Sequence, residues 1–332
     1  MKVIASGSTH APANMSNVPR VDPSSWQPSA SLDTLVRRGR ALRQIRDFFE
    51  QRGVLEVNTP VWLPAVAPER HQTPPECSGG FLLTSPETCM KRLIAAGMGA
   101  IYQIGPAFRK GEWGRYHHPE FTMLEWYRPQ WTMAQLMMEV VDLVKVFLPV
   151  PSVRVMTFQE VFVQWTGVDP LTSPLEVLAK TLERPFSPDS QRSHWVDWLF
   201  VERLEPAIAP LDCLLVITGF PPWEPGMAEL DCGPPEVVRR FEVFFKGVEL
   251  ANGYQELQNP EEQEQRLNTA NAQRVEDGGD ALPIDEHFLA AMRSGLPPCA
   301  GVALGLDRLL MLAFDKKNIS EVMAFREHIP LP

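Results

Sequence analysis

The chain has little that would place it outside a reducing, soluble setting. Its five cysteines, Cys77, Cys89, Cys213, Cys232 and Cys299, are odd in number, scattered, and form no C-x-x-C pair. That pattern implies neither a disulfide framework nor a zinc knuckle and is read as reduced thiols. No run approaches the roughly 18 apolar residues that span a bilayer, so no membrane role is expected. The longest run, around residues 214–217, has the length of a buried strand. The opening stretch "MKVIASGSTHAPANMSNVPRVDPSSW" lacks the apolar core of a signal peptide, which points to the cytoplasm. There is no basic excess either: the formal charge is −10, so nothing draws the whole molecule to nucleic acid. No internal repeat or sustained heptad array appears.

What is present is a globular composition, 44% apolar over 332 residues, enough for a large core. Residues 1–29 read as a polar tail, and 30–332 as one catalytic-size domain. From Ser31 the apolar residues Leu32, Leu35, Val36, Leu42, Ile45, Phe48 and Phe49 recur at helical spacing, with Ser31 as N-cap and Gly53 beyond the end. "VLEVNTP" predicts a strand, and the proline-rich segment after it a loop. Ser85, Pro86 and Glu87 predict a helix start with serine at the N-cap and proline at the first position. "AIYQIGPAFRK" and "PEFTMLEWY" predict two strands; alternation puts Phe121, Met123, Glu125 and Tyr127 on one face. Residues from about 151 to 212 read as a helical, proline-broken insertion. Strands scattered among helices, with hairpins in place of regular βα alternation, predict an α+β fold around an antiparallel sheet.

Three glutamates stand out. In "RFEVFFKGVELANGYQEL", Glu242, Glu249 and Glu256 recur every seven residues. Neighbouring Val243, Phe244, Phe245 and Val248 favour strand, and Lys246-Gly247 falls where a two-residue turn belongs. That register pairs Phe245 with Val248 and Glu242 with Ala251, making Glu242 and Glu249 diagonal neighbours on one face. Like charges about 4 Å apart cost on the order of 4 kcal/mol at an effective dielectric near 20, so the face is either wet or holds a cation. Oxygen ligands of this kind suit Mg²⁺, which completes its shell with water and substrate phosphates.

Two further segments favour the cation. In "GVALGLDRLL", Gly301 and Gly305 let the backbone approach another group closely, and Arg308 falls in the first turn of a helix. In "FRKGEWGRYHHPEFTMLEWY", Arg109 leads into a loop that returns through His117 and His118. The histidines have no third partner at zinc spacing. Arginines on two separate elements opposite an acidic hairpin are what a nucleotide and its metal require.

Taken together, these segments resemble the catalytic core of class II aminoacyl-tRNA synthetases of the lysine group. The helix and strand ending at Pro60 resemble motif 1, the dimer-forming element; "FRKGEWGRYHHPEFTMLEWY" resembles motif 2 and "GVALGLDRLL" motif 3. "TSPETCMKRL" and "VELANGYQEL" are similar to lysine-branch signatures. Only about 30 residues precede motif 1, too few for the anticodon-binding barrel of such synthetases, and Ala303 stands where they usually have glycine. The chain is similar instead to the family of elongation factor P–(R)-β-lysine ligases, truncated paralogues that activate β-lysine and attach it to elongation factor P.

That resemblance implies ATP and Mg²⁺, a homodimer through motif 1, elongation factor P as acceptor, and tRNA as an unlikely partner. It assigns Arg109 to the α-phosphate, Arg308 to the terminal phosphates and Phe121 to the adenine face. Lys110, Gly111, Glu112, His117, His118, Leu250 and Gly305 complete the nucleotide site, and Glu242 and Glu249 hold the metal. Glu256 and Tyr127 recognise a substrate ammonium, with Ser85, Pro86, Glu87, Asn252 and Ala303 lining the amino-acid pocket. At position 111 the family usually has glutamate, and at 118 asparagine. Trp223, in "GFPPWEPG", receives no role.

Overall fold

The computed structural model describes residues 26–187 and 190–326. Most of the expected polar tail, residues 1–25, lies outside the described residues. The first helix, α1 (Leu32–Glu50), starts as its capping signal predicts: extended Ser31 accepts the Thr34 N–H at 3.2 Å. It buries Ala41, Ile45, Phe48 and Phe49, and Phe49 stacks on Tyr102 with ring centroids 4.4 Å apart.

The expected loop after β1 (Leu55–Glu56) carries two short strands, β2 (Trp62–Leu63) and β3 (Glu76–Cys77). With β4 (Gly80–Leu82) they form a separate three-stranded sheet. The next helix, α2 (Glu87–Ala95), begins one residue later than expected. Pro86 occupies the N-cap, and Ser85 Oγ still accepts the Glu87 N–H at 3.1 Å. Then come β5 (Ile101–Phe108), β6 (Glu120–Pro129) and α3 (Met133–Phe147), the last opened by a capping box at Thr132.

The insertion differs from expectation at its start. Residues 153–157 form a strand, β7 (Val153–Thr157), before α4 (Phe158–Thr166), α5 (Leu175–Thr181) and α6 (Arg192–Leu199). A π-helical turn, Phe200–Leu204, joins α6 to α7 (Glu205–Ile208). The chain continues through β8 (Leu214–Phe220), β9 (Leu230–Asp231), β10 (Val237–Phe245) and β11 (Val248–Gln255). It closes with α8 (Pro260–Glu276), α9 (Glu286–Gly295), β12 (Cys299–Gly305) and α10 (Leu306–Ala313).

The main sheet runs β1-β5-β6-β12-β11-β10-β8-β7, with β9 on β10. Its interior is antiparallel, while β1 on β5 and β7 on β8 make both edges parallel. One face is apolar: Phe241, Val243, Phe245, Val302 and Leu304 pack with α1, α3 and α10. On the other face, the insertion's Phe162, Trp195 and Leu199 cover Leu215, Ile217 and Phe244 at one end. The rest of that face is left open, and there the polar strand residues emerge.

The hairpin turns where expected. Lys246 (φ 51°) and Gly247 (φ 74°) both take positive φ, as a two-residue turn matching sheet twist requires. A side chain at 247 would bring its Cβ to 2.9 Å from Ala209 of the insertion. The register, however, shifts: Phe244 pairs with Glu249 and Val243 with Ala251, so Leu250 is the extra residue of a bulge. Glu242 therefore lies opposite Asn252 and not the expected Ala251. Glu249 keeps the expected pairing with Phe244, on the face of Glu242, and the bulge brings Asn252 in place of Ala251 beside Glu242.

Candidate active site

Two rows of residues crossing the open face make the floor of a cavity of about 730 Å³. In the first, Glu125, Ala303, Asn252 and Glu242 lie side by side on β6, β12, β11 and β10. In the second, one step along, they are Tyr127, Gly301, Tyr254 and Arg240. Glycine at 301 is a steric necessity: an added Cβ would stand 2.2 Å from Glu256 Oε1 and 2.4 Å from the Tyr127 ring. The space a side chain at 301 would take is filled by Tyr127 and Glu256, while Ala303 beside it on the strand keeps its methyl group. The walls come from residues 68–72, residues 223–227 and one face of α8.

Arg109, Glu112, His117, His118, Phe121, Glu249, Leu250, Gly305 and Arg308 all line this cavity, as do Glu242, Ser85, Glu87, Tyr127, Asn252 and Ala303. Lys110, Gly111, Pro86 and Glu256 do not. Lys110 and Gly111 form the turn beyond Arg109, with Gly111 at φ 82°, and Pro86 caps α2 from outside. Glu256 lies just behind the floor at Gly301, 1% exposed, with Lys91 Nζ 2.5 Å from its Oε2. The Tyr127 hydroxyl, expected beside it, donates instead to Glu125 Oε1 at 2.7 Å.

At one end of the cavity, Arg308 is held from several sides. Its Nε donates to Tyr116 O at 3.2 Å, and its Nη1 to the carbonyl and carboxylate of Glu249 at 3.0 and 3.2 Å. Nη2 lies 2.7 Å from His117 Nε2. A guanidinium cannot accept, so Nε2 does, and that imidazole is neutral. Burial, with Arg308 alongside, lowers the His117 pKa, in keeping with this. Arg109 stands 5.1 Å over the Phe121 ring and 3.9 Å from Glu112, with its buried Nε free of hydrogen bonds. Phe121, expected against adenine, thus carries a cation on one face.

Glu242 is 7% exposed and bonded to Arg240, which also donates to Asn252 at 3.1 Å. Burial raises its pKa to about 7; Arg240 opposes this and Glu249 adds to it. Each carboxylate already has an arginine beside it, Arg240 at Glu242 and Arg308 at Glu249, so a divalent ion here would use the carboxylate lone pairs that the arginines leave over. Among the described residues no group of three or more His, Cys, Asp or Glu has metal-holding geometry. The pair fits an ion that takes its remaining ligands from phosphate and water.

At the other end the carboxylates crowd. Glu125, 2% exposed, accepts from Ser85 at 2.8 Å and from Tyr127. Glu87 accepts from the Tyr254 hydroxyl and from Lys91 Nζ at 2.6 Å. Burial raises Glu125 to about 7 and Glu256 to about 8, while Lys91 pulls both down. Lys91, Glu125, Arg240 and Tyr254 are absent from the expected site. Two of them were within reach: Lys91 is one helical turn from Glu87, and Arg240 shares a strand face with Glu242.

The sheet, the two arginines and the acidic hairpin define a class II synthetase core. Residues 26–328 match the model of tRNA synthetases class II (D, K and N), and the chain belongs to that family. Within it, the chain groups with proteins named elongation factor P–(R)-β-lysine ligase. That of Proteus mirabilis (strain HI4320) is 44% identical over 315 residues, 90% of this chain and 97% of the relative. That of Yersinia pestis (strain Pestoides F) is 43% identical over 323 residues, 93% and 99%. The Yersinia pseudotuberculosis (serotype O:1b, strain IP 31758) protein matches to the same extent.

Proposed function

We propose that the chain is an AMP-forming ligase that activates (R)-β-lysine with ATP and transfers it to a lysine side chain of elongation factor P. The observation that carries this reading is the charge at the inner end of the cavity. Glu87, Glu125 and Glu256 face one cation, Lys91, so the fully ionised cluster is short of two positive charges. A diamino acid brings two ammonium groups, and α- and β-lysine differ in where the second sits. A buried carboxylate left unpaired is costly, which disfavours amino acids with one ammonium.

In the first step a carboxylate oxygen of the amino acid attacks the α-phosphorus. An O–P bond forms, the bond to the bridging oxygen breaks, and pyrophosphate leaves. In the second, the acceptor amine attacks the acyl carbon, the acyl–oxygen bond breaks, AMP leaves, and the amine sheds its protons. Arg109 is suited to orient and neutralise the α-phosphate, and Arg308 the terminal phosphates. Glu242 and Glu249 would hold Mg²⁺, which when bound offsets the charge of the triphosphate. Homodimerisation across α1 belongs to the same reading. Leu32, Val36 and Leu55 are apolar yet 72%, 53% and 58% exposed, the signature of a face that meets another surface.

Pyrophosphate exchange with (R)-β-lysine and α-lysine side by side, followed by transfer of label to elongation factor P or to tRNA, tests the proposal. Exchange with β-lysine and label on the protein are expected. Absence of exchange with every lysine isomer at every Mg²⁺ level would overturn it, and label appearing on tRNA alone would move the acceptor.

A further inference from the structure

Lys91 is a buried cation that the two chemical steps leave unused. It sits on α2, 1% exposed, with its Nζ 2.6 Å from Glu87 Oε1 and 2.5 Å from Glu256 Oε2. Met227 Sδ approaches it at 3.4 Å, and the Tyr254 ring centroid lies 5.4 Å away. The titratable groups facing it are Glu87 on α2, Glu125 on β6, Tyr254 on β11 with Glu256 just past its end, and Cys299 on β12.

We propose that Lys91 is a specificity-determining residue: a resident counter-ion that occupies one of three acidic seats and so leaves two, matching the two ammonium groups of a diamino acid. The inference rests on the ligase reading, and it adds the residue that sets the count.

A buried lysine serving structure alone needs one carboxylate and gains little over a well-packed apolar side chain. Here it is shared between two carboxylates on different elements, and Glu256 Oε1 still has no hydrogen-bond partner. The third carboxylate, Glu125, is held by Ser85 and Tyr127 without a cation of its own. The arrangement is saturated on one side and deficient on the other, which a ligand must complete. Without Lys91 the deficit is three, and a substrate with two ammonium groups leaves one carboxylate exposed to its neighbours. With it, an amino acid that has one ammonium leaves the same kind of vacancy.

The deficit is filled by protons when no ligand is bound. Burial raises Glu125 to about 7 and Glu256 to about 8, while the Glu87 carboxylate 2.6 Å from Lys91 Nζ helps to keep the lysine charged. Two incoming ammonium groups therefore displace protons and not other cations.

Calorimetric titration of the wild-type chain with (R)-β-lysine, in buffers of different ionisation enthalpy, counts those protons. Release of about one to two at pH 6.5, falling toward none at pH 9, is expected. In pyrophosphate exchange, Lys91→Ala should raise KM for (R)-β-lysine by about 100-fold or more, with kcat falling less. n-Propylammonium, which replaces the missing side-chain atoms, should restore much of the loss, and 1-propanol should not. An unchanged KM in the folded variant, or equal rescue by the uncharged alcohol, overturns the proposal. If Lys91→Ala does not fold, the wild-type count decides, and no proton release at pH 6.5 overturns it. Failure of the wild type to exchange with any lysine isomer would sink the ligase reading, while the proton count on binding would still test the seats.

Discussion

Arg38 on the first helix and Asp307, the neighbour of Arg308 on the last, form an ion pair at 2.6 Å across 269 positions of sequence. Asp307 is 2% exposed and also accepts the Thr122 N–H at 2.6 Å, while Arg38 donates to Thr122 Oγ1 at 2.8 Å. One network therefore joins α1, strand β6 and the start of α10. Arg38→Leu should leave Asp307 short of its cation and cost about 1.5–3 kcal/mol. Urea denaturation reads this as a lower midpoint at unchanged slope. An unchanged midpoint would show that Thr122 alone suffices.

Arg308→Ala should reduce pyrophosphate exchange by about 10²-fold or more, because a guanidinium aimed at developing phosphate charge is removed. The helix it leaves is anchored by Leu306, Leu309 and Leu310, all fully buried, so the fold and the oligomeric state should survive. Exchange near the wild-type rate would remove Arg308 from the mechanism.

Ala303→Gly should shift preference toward α-lysine. The Ala303 methyl stands between Glu125 and Asn252 on the floor, and one methyl in a pocket is worth roughly 1–3 kcal/mol of discrimination. The ratio of exchange rates for the two isomers is the measurement; a constant ratio counts against the assignment.

Glu249→Gln should raise the Mg²⁺ concentration needed for half-maximal exchange by about tenfold or more, and chelation should stop exchange in the wild type. An unaltered Mg²⁺ dependence would place the ion elsewhere.

The unliganded protein should lose stability as pH rises from about 5.5 to about 8.5. Glu242, Glu125 and Glu256 have folded-state pKa values of about 7, 7 and 8, above the ordinary 4.5, so the folded state binds more protons across that window. The stabilisation is complete below the ordinary value and is lost as pH passes the folded ones. Lys91 is raised as well, so its contribution holds until well above this range. Saturating (R)-β-lysine with Mg²⁺ and ATP should flatten the slope. A melting temperature that rises with pH across the window would contradict the assignment.

Local signals were legible where the physics is local. Ser31 caps its helix, Lys246-Gly247 makes its turn, and alternation puts Phe121, Met123, Glu125 and Tyr127 on the cavity face. What could not be read depends on contacts made at a distance. The bulge at Leu250 moves Glu242 opposite Asn252, a shift that turn chemistry at 246–247 does not specify. β7 is short and at an edge, paired in parallel with a strand some 60 residues on, and its alternation is weak. The carboxylate of Glu256 is paired with Lys91, 165 positions away, a partner that its spacing from Glu249 does not reveal.

Positions 301 and 303 belong to one strand, point the same way, and differ by a single carbon, yet neither carries charge. Together they fix how deep the floor lies under each half of whatever is held above it. A lineage of such proteins could exchange one regioisomer for another at 303 alone, where losing a methyl group disturbs no ion pair, whereas any side chain at 301 would meet Glu256 and Tyr127. The route between neighbouring substrates would then be a single step.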